Sequence, residues 1–337
     1  MTARVLVSIV GYNSGRHLRT CLDSLAAQTF KDFTVSFWDN ASSDDTSAII
    51  EEYRGSFGFL HFSGSNIGFC AAHNQLISSA ASEYVLVMNP DIVLNPHFLE
   101  ILVREMDKNP VAGSATGKLL RSASQGSSRP ILDSTGIYLT RNQRHFDRGS
   151  NEIDAGQYEN IEYVFGATGA AALYRKTMLE EIREGSEYFD ESFFAYREDV
   201  DLAWRAQWMG WRCLFIPEAK AFHERRVLPE RRSTLPNAIN MHSFKNRFLL
   251  RIKDMDLGTY ARFFIPITIR DAAALAYVLL RERSSLPGIA LLIRTLPHAW
   301  SCRRSLKKRR KISAREMRYW FYEKALAVNK GADPQTH

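Results

Sequence analysis

Along the first hundred residues, short apolar runs alternate with segments whose apolar residues recur at helical spacing. RVLVSIV at 4–10 is continuous and β-branched, which predicts a buried strand. The turn-like GYNSG follows, and from Arg16 to Ala27 apolar side chains at Leu18, Cys21, Leu22 and Leu25 mark one face of a helix. The unit repeats with FTVSFWDN as strand, DDTSAIIEEY as helix, FGFLHF as strand, FCAAHNQLISSAA as helix and EYVLVMNPD as strand. Strands and helices alternating at this pace predict an α/β fold with a mostly parallel central sheet covered on both faces. Such sheets bind ligands beyond the carboxyl ends of their strands. That rule singles out Asn13, Asp39, Asn40, Asn66 and Asp91.

From about 118 to 165 the chain is rich in Ser, Gly, Arg and Asn, and only ILDSTGIYLTRNQRHF suggests a paired-strand excursion, so loops around a site are expected. Order returns with ATGAAALYR, a helix beginning near Glu198 and the strand WRCLFIP. From Pro236 the pattern is helical up to a polar tail. The expected division is an α/β body over 1–235 and a helical region over 236–337.

Charge sharpens that division. The net charge of +7 conceals 20 Lys and Arg against 7 Asp and Glu from Pro236 onward, which leaves the preceding residues at −6. The cluster SCRRSLKKRRK at 301–311 follows helices bearing Phe263, Phe264, Leu279, Leu280, Leu291, Leu292 and Trp300. It reads either as a basic face packed on the body or as a surface for anionic lipid headgroups. The apolar stretch FFIPITIRDAAALAYVLL is broken by Arg270 and Asp271, whereas a spanning helix needs about 20 mainly apolar residues. The N-terminus lacks signal-peptide character, and the four cysteines have neither metal-finger nor redox spacing. These features predict a cytoplasmic protein, peripheral on the inner face of the cytoplasmic membrane, with an anionic membrane surface and not nucleic acid as partner.

Four constellations carry candidate chemistry. Asn89-Pro90-Asp91 ends a buried-looking strand, where an acid can coordinate a divalent cation, although the tripeptide is equally good turn chemistry. Asp39 lies at a strand end and suits a nucleobase or ribose, while Ser43 and Asp44 suit helix capping. Glu198, Asp199 and Asp201 open a helix, a position that favours acids electrostatically whether or not they do chemistry. His223 follows another strand, and a lone His there is commonly structural.

Taken in order, VSIVGYN, FWDNASSDDT, SNIGFCAAHN, VLVMNPD, GATGAAALYRK, FDESFFAYREDVDLAWRAQWMGWR and AKAFH resemble the family 2 glycosyltransferases, particularly their rhamnosyltransferase-like branch. The resemblance covers roughly 4–226 and is most specific in the block beginning FDE. It implies a GT-A fold and an inverting sugar transfer from a nucleotide-diphosphate donor, with dTDP-L-rhamnose the first expectation and a lipid-linked or polysaccharide acceptor. It further implies that Asp39 recognises the base, with Asn13 in the loop beneath. Asn66, Gly68, Phe69 and Asn74 would line the nucleotide-sugar pocket. Asp91 would hold Mn or Mg and the diphosphate beside Asn89, with His223 as a further metal ligand. Asp199 would be the base and Glu198 its alternative. Asn89 stands where the family's DxD motif has its first acid, which removes one charge from the metal site.

Other readings remain beside this one: a UDP- or GDP-hexose donor, or a non-catalytic sugar-nucleotide-binding scaffold. An NAD enzyme is excluded because GYNSG lacks the G-x-G-x-x-G spacing. A nucleotidyltransferase would need a basic, Gly-rich N-terminal loop that VSIVGYNSGRHL does not supply.

Overall fold

In the computed structural model of the chain, residues 3–121, 130–224 and 237–322 are described. Strand β1 (Val5–Gly11) lies inside the sheet because its apolar residues are covered on both faces. It pairs in parallel with β2 (Phe33–Asp39) on one side and β4 (Tyr84–Met88) on the other, and β2 pairs in parallel with β3 (Phe57–Phe62). Helices α1 (Gly15–Ala26), α2 (Thr46–Glu52) and α3 (Phe69–Ser78) make the crossovers. The register sets Gly11 against Asp39 and Ile9 against Met88, so these carboxyl ends open at one edge.

The sheet then departs from simple alternation. After β5 (Ile92–Leu94) and α4 (Phe98–Lys108) comes the long β6 (Ala112–Arg121). Short β7 (Leu132–Ser134) pairs with β6, and β8 (Ile137–Leu139) with β9 (His145–Asp147) forms a separate two-stranded excursion. Beyond β10 (Glu162–Val164), β11 (Ala171–Arg175) enters antiparallel between β4 and β6. Helices α5 (Lys176–Ile182) and α6 (Glu198–Trp208) lead to β12 (Arg212–His223), which runs parallel to β6 with an irregularity between Ile216 and Lys220. Gly117 permits that close approach, since a Cβ there would stand 2.1 Å from the Ala219 carbonyl oxygen.

The C-terminal helices pack into this body. In α7 (Asn237–Asp254), Leu249 and Leu250 share a core with Phe193 and Trp204, and Trp208 Nε1 donates to the Asp254 carbonyl at 2.9 Å. The expected boundary between 235 and 236 falls outside the described residues. After α8 (Leu257–Arg262), α9 (Phe264–Arg281) buries little of its apolar surface: Ile265, Ile269 and Leu280 are 69%, 66% and 75% exposed. No helix among the described residues is long and apolar enough to cross a membrane.

Part of the basic cluster at the end of α10 (Pro287–Arg309) and before α11 (Ala314–Arg318) makes contacts with the body. Arg303 donates to the Ile252 carbonyl, Arg309 bonds Glu184 and the Glu181 carbonyl, Lys311 pairs with Glu181, and Arg310 lies over Trp208. Arg304, Lys307, Lys308, Arg310 and Lys311 remain exposed, the last two while contacting Trp208 and Glu181. The reading as a face packed on the body therefore applies to Arg303 and Arg309.

Candidate active site

At the strand ends, the expected nucleotide residues brace one another. Asn13, in the left-handed backbone region at φ 51°, accepts from Ser43 N at 2.7 Å. Buried Asp39 accepts from the Ser42 hydroxyl at 2.5 Å and from Ser47 at 3.2 Å. Asn40 donates to Asn66 Oδ1 at 2.9 Å and to the Gly68 carbonyl at 3.2 Å, and accepts from Ile67 N. Gly68 has φ 89°, and a Cβ there would stand 2.6 Å from the Phe194 ring, so glycine alone fits. The N–H groups of Phe69 and Cys70 converge on the Phe194 carbonyl.

Asn74 is placed differently from the rest. Its amide is buried, accepts from the N–H groups of Tyr188 and Phe189, and donates to the Phe189 carbonyl and Glu191. It brackets the FDE segment and does not reach an open pocket.

The second group gathers at Asp91. Strand β5 pairs antiparallel with the end of β12, setting His223 opposite Ile92, and the Glu224 N–H donates to the Asp91 carbonyl. His223 Nε2 thereby lies 3.4 Å from Asp91 Oδ1, which makes no hydrogen bond of its own. On its other side His223 Nδ1 lies 2.7 Å from the fully buried Asp133, itself 3.6 Å from Arg121. The two flanking acids outweigh burial and push the His223 pKa up to about 9. A carboxylate oxygen and an imidazole nitrogen facing each other, the ring oriented by a second carboxylate, suit a borderline divalent cation. Asn89 adjoins them, its N–H bonded to the Ala170 carbonyl. The sequence reading missed Asp133; the available signal was an acid inside the paired-strand stretch that begins ILDS.

The third group surrounds α6. Asp199 Oδ2 accepts from Gly169 N at 3.1 Å and Oδ1 from Val200 N at 2.8 Å, which fixes a part-exposed carboxylate over the GATGAA loop. Glu198 is buried. Burial pushes both acids above the ordinary carboxylate range; Asp199 adds to the effect on Glu198, and Asp147 to that on Asp199. Immediately upstream, Phe194, Tyr196 and Arg197 all have positive φ, a strained run of non-glycine residues. Asn246 of α7 fastens it, donating to the carbonyls of Phe193, Ala195 and Tyr196 at 2.8–3.0 Å.

Beneath the loop lies a buried ion network. Lys253 Nζ is 2.7 Å from Asp190 and 2.6 Å from Asp201, and Asp201 also binds Arg205 at 2.7 Å. Asp201, the third acid of its cluster, is therefore structural. Asp190 also comes together with His298 and Cys302, their ligand atoms within 4.8 Å, a grouping that the cysteine spacing did not suggest. Lys253 already compensates Asp190, which makes this the poorer cation site of the two.

The model for glycosyl transferase family 2 matches residues 7–183, more than half of the chain. N-acetylglucosaminyl-diphospho-decaprenol L-rhamnosyltransferase of Mycobacterium tuberculosis is 29% identical over 246 residues, covering 67% of this chain and 77% of that protein. Among solved structures, S. aureus TarS 1-349 in complex with UDP-GlcNAc aligns with TM-score 0.55 at 16% identity, covering 90% of this chain and 84% of that one. A mannosyltransferase from Pyrobaculum calidifontis, solved with GDP-Man and Mn2+, aligns with TM-score 0.50 at 16% identity, covering 98% and 82%. The fold is thus the GT-A glycosyltransferase fold, and the chain belongs to glycosyl transferase family 2.

Proposed function

We propose that the protein is an inverting glycosyltransferase that moves L-rhamnose from dTDP-rhamnose to a lipid-linked or polysaccharide acceptor in cell-surface glycan synthesis, with Asp199 as base. The observation that carries this reading is the Asp199 carboxylate. Two backbone N–H groups hold it, and burial raises its proton affinity toward that required of a base near neutral pH. The mycobacterial relative supports rhamnose and a lipid-diphosphate acceptor.

In the proposed reaction, the acceptor oxygen forms a bond to the anomeric carbon as the bond from that carbon to the diphosphate oxygen breaks. The electron pair leaves with the nucleoside diphosphate, and the acceptor proton passes to Asp199. Asp91 and His223 would hold a Mn or Mg ion, which when bound offsets the negative charge of the leaving group. Asp39, Asn13, Asn66, Gly68 and Phe69 shape the nucleotide side, while Asn74 supports it from beneath.

The C-terminal region is read as a membrane-associating surface, with attachment led by the apolar side chains of α9 and assisted by Arg304, Lys307 and Lys308. The protein would then work at the inner face of the cytoplasmic membrane.

A donor panel tests the reading: dTDP-rhamnose, UDP-hexoses and GDP-sugars, each with and without manganese or magnesium, assayed for hydrolysis and for protection against thermal unfolding. Ligand at 100 times Kd stabilises by about 2.7 kcal/mol. Protection by dTDP-rhamnose is expected. Protection by UDP- or GDP-sugars alone refutes the donor assignment, and binding without turnover favours a scaffold.

A further inference from the structure

Residues 193–197 run between the expected donor pocket and Asp199, and their backbone is bent against its own preferences. Phe194 stands at φ 66° and ψ −63°, with the Ala195 N–H bonded to the Phe193 carbonyl at 2.8 Å, which is the rarer and strained form of γ-turn. Tyr196 and Arg197 follow at φ 70° and 73°. Such conformations, here in residues that are not glycine, persist only where the surrounding structure over-determines them.

Each end of the segment is tied to one side of the site. The Phe194 carbonyl accepts from the N–H groups of Phe69 and Cys70 at 2.8 and 3.2 Å, and the Phe194 ring occupies the space that a Cβ on Gly68 would need. At the other end, the Arg197 carbonyl accepts from Asp201 N at 2.9 Å and so starts α6, whose second residue is Asp199. A shift of the segment would therefore move Asp199 relative to Gly68 and Phe69.

The grip on the segment comes from α7. His242 stacks on Phe194 with ring centroids 4.6 Å apart, and Lys245 Nζ donates to the Ser192 carbonyl. Between them in effect is Asn246, fully buried, whose amide donates to the carbonyls of Phe193, Ala195 and Tyr196 at 2.9, 3.0 and 2.8 Å. Only the NH2 group can face three carbonyls, since the opposite orientation would set oxygen against oxygen. Its Oδ1 is buried with no hydrogen-bond partner among the described residues, so the side chain acts through its donors.

From this arrangement we infer that Asn246 is a positioning residue for the transfer: it holds residues 193–197 in their strained form and thereby sets Asp199 in register with the donor pocket. The C-terminal region then completes the active site as well as attaching it. The inference rests on the proposed reading that Asp199 is the base. A small misplacement of a base costs rate steeply. Nucleotide binding should feel it less, because Asp39 is braced by Ser42 and Asn40 by Asn66.

Kinetics and hydrogen exchange on the full chain test it, with Asn246→Ala, Asn246→Asp and, as a control for loosened helix packing, Leu306→Ala on α10. The substrate is the nucleotide sugar that the donor panel identifies. Per folded molecule, well below the unfolding temperature, Asn246→Ala should lower kcat by roughly ten- to a hundredfold, with donor KM within about threefold of wild type. Asn246→Asp keeps the shape but turns a carboxylate toward the three carbonyls, and should do no better. Leu306→Ala should lower the thermal midpoint and leave kcat unchanged. With no donor present, Asn246→Ala should speed exchange at the Phe69, Cys70 and Asp201 amides while β1 and β4 keep their protection. Unchanged kcat per folded molecule, or unchanged exchange at those three amides, overturns the inference. An equal loss of kcat in Leu306→Ala overturns it too, since the effect is then general loosening. Normal turnover by Asp199→Asn, with the Asn246 variants behaving as stated, removes the base reading and leaves the positioning role standing. If no nucleotide sugar turns over, the transferase reading fails and exchange alone decides whether Asn246 holds the segment.

Discussion

Replacing Lys253 with Met removes the cation at the centre of the buried network while keeping most of the side chain's length and apolar volume. In the native protein this ammonium is fully buried and lies within hydrogen-bonding distance of Asp190 and Asp201. Asp201 would keep Arg205, and Asp190 would keep His298 and the Ser192 N–H and hydroxyl, but Asp190 would lose its leading compensating charge. Removing one partner of a buried pair typically costs about 3–5 kcal/mol; with part-exposed His298 still beside Asp190, a loss of about 3 kcal/mol is expected at pH 7.

The effect should depend on pH in a defined direction. Lys253 leads the charges that hold the Asp190 carboxyl well below its ordinary range against the penalty of burial. A depressed pKa contributes stability above the unfolded value of about 3.9 and loses it as pH falls through the folded value. In the variant burial is opposed only by His298 and the Ser192 hydrogen bonds, so the carboxyl takes up its proton at a higher pH than in wild type and protonation relieves the penalty as pH falls. The gap between variant and wild type should therefore narrow from pH 7 to pH 4. Urea unfolding measures it, with Asp190→Asn and the double variant closing a cycle whose coupling should reach about 2 kcal/mol. A loss below about 1 kcal/mol, or C-terminal helices that melt separately while the sheet is unaffected, would refute the network as the link between the two parts.

Asp199→Asn should lower transfer by roughly 10²–10⁴-fold while nucleotide-sugar binding persists; near-normal turnover would move the base assignment to Glu198. Because burial raises the proton affinity of both acids, transfer should rise with pH through a value above the ordinary carboxylate range, and Glu198→Gln should leave that profile in place, since Glu198 titrates above Asp199 and is neutral while Asp199 ionises. Asp91→Ala should weaken metal-dependent nucleoside diphosphate binding, with His223→Ala smaller in the same direction; unchanged calorimetric affinity in both would contradict the site. Anionic vesicles should retain the protein when Arg304, Lys307 and Lys308 are changed to Gln at moderate salt and release it when Ile265, Ile269 and Leu280 are changed to Ser; the reverse order would make the attachment chiefly electrostatic.

Local periodicity determined the β1-to-β4 half of the sheet, because each of its strands is a short apolar run and each crossover helix carries its apolar stripe in consecutive turns. It also placed Asp39, Asn66 and Asp91 at strand ends and Glu198 and Asp199 at a helix start, since those positions follow from where the runs stop. Only tertiary structure joined residues distant in the chain: His223 reached Asp91 through a three-residue strand, Asp133 arrived from a paired-strand excursion whose partner the local pattern did not fix, and Asn74 was turned onto the 188–189 backbone. The fate of the charges was likewise undecided in the sequence. A lysine reads the same whether it is solvated, as Lys308 is, or buried between two acids, as Lys253 is. The difference lies in long-range packing: α7 brings its cation into a pocket whose acids lie more than fifty residues away, and the attraction of compensated charge inside the protein, not any local propensity, keeps it there.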